Sequence, residues 1–108
     1  QQQYAAARMA AAGLSGAVGV HLRDYRDEDG RYDRIVSIEM IEAVGEAYWP
    51  VYFRQIHDRL KPGGLAGLQA ITLREDRVER YRREIDFIRA YVFPGGMLAS
   101  ASVLRGLA

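Results

Sequence analysis

At 108 residues the chain has room for one small domain, whose core can be adequate but not generous. Apolar residues make up 49% of it, which excludes a disordered tail, and a net charge of +1 sets up no strong field toward nucleic acid or an acidic partner. The absence of cysteine removes disulfides, thiolate nucleophiles and cysteine metal sites and fits a reducing cytoplasm, while no apolar run approaches the ~20 residues of a membrane span, so lipid contact is expected to be peripheral.

In chain order, the alanine-rich stretch from Gln2 to Ala12 predicts a helix that stops at Gly13. Val18, Val20 and Leu22 alternate with smaller or polar residues, the pattern of a strand, and DYRDEDGRYD has the chemistry of a loop. Arg34 to Met40 predicts a second strand, apolar enough to be buried on both faces. Pro50 suits the first turn of a helix, and Phe53, Ile56 and Leu60 follow at helical spacing until KPGG ends it. Leu65 to Leu73 predicts the third strand. Arg74 to Phe93 predicts one long helix, with Val78, Tyr81, Ile85, Ile88 and Val92 on a single stripe and FPGG as its stop. Arg74, Arg77, Arg80, Arg82 and Arg83 interleave with Glu75, Glu79 and Glu84, as on a solvated helix face, although they would also suit phospholipid phosphates. His21 and His57 stand alone and suggest no metal site. Helices alternating with apolar strands give an α/β fold, about three parallel strands with flanking helices.

The second strand runs into two carboxylates, Glu39 and Glu42, at the end of a parallel sheet where ligands bind. The order of strand, DYRD, DRIVSI, EAVG, helix, LKPGG, strand and finally DFI-x-x-Y-V-FPGG is specific as a set. It resembles the cyclopropane-fatty-acyl-phospholipid synthase family, including the mycolic acid cyclopropane synthases, from Gln3 to Ser100. LKPGG alone is common to many methyltransferases; EAVG with FPGG downstream carries the match.

The resemblance implies a partial Rossmann-like class I sheet and S-adenosylmethionine as cofactor. The implied reaction is methyl transfer to the double bond of an unsaturated phospholipid acyl chain, closing a cyclopropane. The runner-up acceptor on the same fold is a methyl-branched fatty chain or a small amine. The segment corresponds to the middle and later part of the catalytic domain, without the glycine-rich cofactor loop or the C-terminal portion. GLSGAVG does not replace that loop, since it precedes a strand rather than opening a helix. Residues 1–108 are therefore expected to be a single fragment, catalytically silent alone. Its unpaired sheet edge is expected to rearrange the first strand or to join a homodimer.

Carried over residue by residue, the resemblance places Gln3 against the cofactor, where its plain reading is a polar residue at a frayed end. Asp24, Tyr25 and Arg26 match the segment along the adenine, and an aromatic ring beside polar groups suits that role as well as a solvated turn. Ser37 and Ile38 would line the cofactor wall, with core packing the alternative for Ile38. Glu42 matches the glutamate that helps hold a bicarbonate ion acting as general base; its plain reading is a carboxylate at a helix start. Gln69 and Ile71 stand where relatives carry a bicarbonate-contacting histidine and isoleucine, and Gln69 departs from the histidine because an amide cannot titrate. Tyr91 and Phe93, with the Tyr48, Trp49, Tyr52 and Phe53 cluster, suit an acyl tunnel or simply core. Glu39 departs from a glycine or small residue, and Ala99 from a proline. No metal and no nucleic acid are expected.

Overall fold

The structure, a computed structural model, describes all residues 1–108. Helix α1, Gln2–Ala11, forms from its alanines yet buries none of its residues. Its Gln2 amide donates to the Val20 carbonyl at 2.9 Å. The strand expected at Val18 to Leu22 does not form. A strand exists only through a ladder partner, no strand pairs with this segment, and Leu22 is 90% exposed.

Strands β1, Tyr32–Ile38, and β2, Leu60–Gln69, pair in parallel with Ile35 opposite Ala66 and Ile38 opposite Gln69. The short helix α2, Ile41–Val44, and the crossover helix α3, Trp49–Arg59, with Pro50 in its first turn, connect them. KPGG does not end α3, which already stops at Arg59; it forms an irregular stretch inside β2, where the register jumps from Tyr32 opposite Leu60 to Arg34 opposite Leu65. Gly63 has φ +77°, and a Cβ on Gly64 would lie 2.9 Å from the Lys61 carbonyl, so only glycines fit the detour. The expectation that Arg34 to Met40 is buried on both faces also fails. Val36 is 71% exposed, because the pair of strands carries α3 on one face and leaves the other open.

β2 stops at Gln69 rather than Leu73. The Ile71 amide, which a longer strand would give to a ladder, donates instead to Glu42 Oε1 at 2.6 Å. The chain then enters β3, Thr72–Leu73, parallel to β4, Ala99–Ser100. The fold is thus α/β with parallel pairing as expected, but its strands number four in two separate pairs rather than about three in one sheet.

The long helix expected over Arg74 to Phe93 breaks into a 3-10 turn at Glu75–Arg77, helix α4 at Val78–Arg83 and a π-turn at Ile88–Val92. Asp86 and Arg89 are the cause. Asp86 Oδ1 accepts from the Arg89 amide at 2.8 Å, opening a new turn as a capping aspartate does. The Arg89 guanidinium donates to the Tyr81 carbonyl and, at 3.0 Å each, to the Glu84 and Gly96 carbonyls. These include carbonyls that the end of α4 leaves without helical partners. The same guanidinium stacks 4.8 Å from the Tyr81 ring centre. Arg82 reaches Glu46 and Glu79, and Arg80 reaches Glu84, so the arginine-rich face is a set of exposed ion pairs.

A final helix, α5, Ala101–Leu107, follows β4 although FPGG had no visible continuation. Ser100 caps it, accepting from the Val103 amide, while Glu75 accepts from the Ser102 amide and hydroxyl at 3.1 and 2.8 Å. The core consists of Ile41, Trp49, Tyr52, Met97 and Ala99, where α2 and α3 meet the FPGG turn and β4. Its small size shows in a radius of gyration of 16.3 Å, against the ~13 Å of a compact 100-residue domain. No helix is long and apolar enough to cross a membrane.

Candidate active site

β1 and β2 are parallel, so their C-terminal ends, Ile38 and Gln69, lie side by side. The next residue, Glu39, turns the chain out of the sheet with φ +47°, a left-handed conformation that glycine adopts freely and a side chain resists. That conformation would suit the glycine that the resemblance implies here. The Glu39 amide still donates to the Gln69 carbonyl at 2.8 Å, and the Gln69 side-chain amide donates to Glu39 Oε1 at 2.9 Å. Two of the three departures seen in the sequence, Glu39 and Gln69, are therefore partners of each other.

Two hollows open at this rim. The larger, about 600 Å³, is bounded by Tyr25, Ser37, Ile38, Glu39, Ala43 and Tyr52 among others. The Tyr52 hydroxyl donates to Ser37 Oγ at 2.6 Å, and burial pushes the Tyr52 phenol above its usual pKa, an effect that the Ser37 bond opposes. Tyr25 packs edge-on against Tyr52 at 5.7 Å, and its phenol is likewise raised by burial. Gln55 fixes the loop that carries Tyr25, donating to the carbonyls of Tyr25 and Glu28 at 3.0 and 2.6 Å.

The smaller hollow, about 190 Å³, is bounded by Glu42, Ile71, Tyr81, Phe93 and Met97, together with Glu39 and Ala43. Glu42 is held from two sides. Its Oε1 takes the Ile71 amide, and its backbone carbonyl accepts from the Met97 amide at 2.9 Å. Its Oε2 is buried without a hydrogen-bond partner. A carboxylate oxygen withdrawn from bulk solvent and left unpaired by the chain calls for a donor, from an ordered water or a ligand. Neither Glu39 nor Glu42 forms an ion pair within 4 Å, although nine arginine or lysine ion pairs form elsewhere and Arg89 borders the same hollow.

The structure thus gathers Tyr25, Ser37 and Ile38 at the larger hollow and Glu42, Ile71 and Phe93 at the smaller one. Gln69 sits at the strand end but lines neither, being turned to Glu39. Gln3 is exposed on α1, and Tyr91 packs 5.1 Å from Phe87 outside the hollow. Asp24 and Arg26 bind each other at 2.6 Å and border neither hollow. Side-chain and backbone bonds from Arg26 hold the Asp24 carboxyl down at about 2. Sequence reasoning missed Ala43, Tyr81 and Met97. Met97 and Tyr81 carry no chemical signal, while Ala43 was visible only as a letter inside EAVG.

The residues present fit part of a nucleoside cofactor. Tyr25, Ile38 and Ser37 offer an aromatic edge, an apolar wall and a hydroxyl in a hollow of ligand size, while nothing among Gln3, Asp24 and Arg26 reaches it.

Comparison with known proteins identifies a family. The family described as mycolic acid cyclopropane synthetase matches residues 1–106. The chain is 46% identical over 104 residues to tuberculostearic acid methyltransferase UfaA1 of Mycobacterium tuberculosis, covering 96% of this chain and 24% of that protein. It is 37% identical over 84 residues to cyclopropane-fatty-acyl-phospholipid synthase of Escherichia coli, covering 77% of this chain and 21% of that one. The chain therefore spans about a quarter of the length of these curated relatives. Among solved structures, mycolic acid cyclopropane synthase CmaA1 complexed with SAH and CTAB superposes with a TM-score of 0.70 at 25% identity, over 90% of this chain and 39% of that one. The cyclopropane synthase MmaA2 from Mycobacterium tuberculosis, at 22% identity and a TM-score of 0.71 over 97% of this chain and 41% of that one, shows the same fold. The chain belongs to the mycolic acid cyclopropane synthetase family.

Proposed function

We propose that this chain is the part of a larger enzyme that contributes to both the cofactor and the acceptor side of an S-adenosylmethionine-dependent methyl transfer to the double bond of an unsaturated phospholipid acyl chain, leading to a cyclopropane fatty acid. The observation that carries the reading is the unpartnered Glu42 Oε2 in a mostly apolar hollow, which Glu39 and Arg89 also border, beside a nucleoside-sized one. S-Adenosylmethionine, when bound, supplies an electrophilic methyl group. Tyr25, Ser37 and Ile38 would line the nucleoside, and Ile71, Phe93 and Met97 would exclude water from the acyl chain. Glu42 would accept a hydrogen bond on Oε2 from the species that takes the proton at ring closure, for which bicarbonate is our candidate. Phe93 lines the hollow and is also 61% exposed, which supports entry of an acyl chain from that side.

In the full-length protein, Glu42→Gln keeps one acceptor and removes the charge, and should lower turnover about a hundredfold, in the range of lost acid-base assistance. Mass spectrometry and proton NMR of the lipid product decide the acceptor. A cyclopropane in the acyl chain supports the reading, and methylation of a soluble amine overturns it. A methyl-branched chain is the second outcome with support of its own, because Gln69 cannot titrate and a methyltransferase stands at 46% identity.

For the 108 residues alone, the open face of β1 and β2, with Val36, Ile38 and Leu65 exposed, favours a silent, self-associating chain. Calorimetry and sedimentation test this. Micromolar cofactor binding by a monomer would refute it.

A further inference from the structure

Only two residues border both hollows, Glu39 and Ala43. A methyl group that passes directly from a cofactor in the larger hollow to an acceptor in the smaller one must cross at that shared wall. Of the two residues there, only Glu39 bears a charge. Its Oε1 is fixed by Gln69, it takes part in none of the chain's ion pairs although Arg89 also borders the smaller hollow, and its backbone makes a left-handed turn at the strand ends. A carboxylate kept in place without a counter-ion suits a positively charged ligand atom.

We infer that Glu39, positioned by Gln69, is a specificity-determining residue that faces the sulfonium and favours S-adenosylmethionine over the neutral S-adenosylhomocysteine. This rests on the proposed cofactor reading of the larger hollow. The charge balance gives the device its use. As the methyl leaves, the alkene π pair forms the new carbon–carbon bond and the former sulfur–carbon pair stays on sulfur. Sulfur becomes neutral, its attraction to Glu39 disappears, and product release is favoured over product retention.

The test is calorimetric titration of the full-length protein with each ligand separately. Glu39→Gln should weaken S-adenosylmethionine about tenfold, the scale of one carboxylate–cation contact in a half-open site, and leave S-adenosylhomocysteine within about twofold. Glu39→Gly, which suits the left-handed backbone, should reproduce that selective loss in a fold without the strain. Gln69→Leu should shift the preference in the same direction by less. Equal weakening of both ligands, or no change in either, overturns the role of Glu39 while leaving the cofactor reading intact. Failure of the unaltered protein to bind either ligand overturns both.

Discussion

The region from β1 through β2 and the region from Glu75 to Met97 are built by different rules. In the first, apolar periodicity decides. Trp49 and Tyr52 point inward at the i, i+3 spacing of the crossover helix α3, Ile41 joins them from α2, and backbone ladders do the rest. In the second, an equally regular stripe is overruled by two side chains, because Asp86 starts a new turn and Arg89 takes the carbonyls that α4 leaves free. Ile85 and Phe87 are left facing solvent. The lesson is that periodicity forecasts a helix only where no nearby polar side chain offers its backbone a better partner.

Four experiments would break or sharpen that contrast. The largest effect should come from Trp49→Ala, which removes a fully buried ring whose indole donates to the Ile41 carbonyl at 3.3 Å. Cavity formation there costs about 3–5 kcal/mol, enough to unfold a chain with so small a core. Urea unfolding followed by circular dichroism should show no cooperative transition, whereas Phe87→Ala should shift the midpoint by less than the equivalent of ~0.5 kcal/mol. If both behave alike, the division into two kinds of region is wrong.

Next, Arg89→Met should cost about 1.5–3 kcal/mol, the worth of hydrogen bonds from a charged donor. Hydrogen exchange locates the damage. Protection should fall over Ile88 to Phe93 and stay unchanged in β1 and β2. A uniform loss would mean that Arg89 supports the whole fold.

Glu39→Gly should change stability by only about 0.5 kcal/mol or less, since relief of about 1 kcal/mol of left-handed strain offsets the lost Gln69 bond. A denaturation midpoint moved well outside that range would contradict the conformation described for Glu39.

The smallest effect concerns Asp24, whose pKa falls from 3.8 to about 2 through its bonds from Arg26. A depressed carboxylate stabilises the fold above the unfolded value, and that contribution is lost as pH drops from about 4 through 2. The carboxyl carbon of Asp24, followed by NMR, should titrate near the lower value and return toward the ordinary one in Arg26→Met. An ordinary midpoint in the unaltered chain would dissolve the pair.

Much of the positioning framework was legible in the sequence. Pro50 with Phe53 and Ile56 marked α3, the apolar run marked β1, and Glu42 stood out as a carboxylate just past a strand. What escaped prediction involves partners far apart in the chain. Val18 to Leu22 alternates properly but has no strand to pair with. α5 depends on Ser100 and on Glu75, a residue from another element. The Glu39–Gln69 bond spans thirty positions, so each appeared alone as an unexplained departure. Ile71 looked like the interior of a strand because nothing local says that its amide belongs to a side chain.

Glu42 joins three pieces of chain: its own helix, the break after β2 through Ile71, and the turn before β4 through Met97. It is thus a structural rivet as well as the carboxylate proposed to hold the base, and mutagenesis at this position mixes the two. Glu42→Ala would lose both the charge and the clamp on Ile71, so an inactive alanine variant says little about chemistry. The glutamine variant, which keeps an acceptor for that amide, is the one whose inactivity can be read as the loss of a charge.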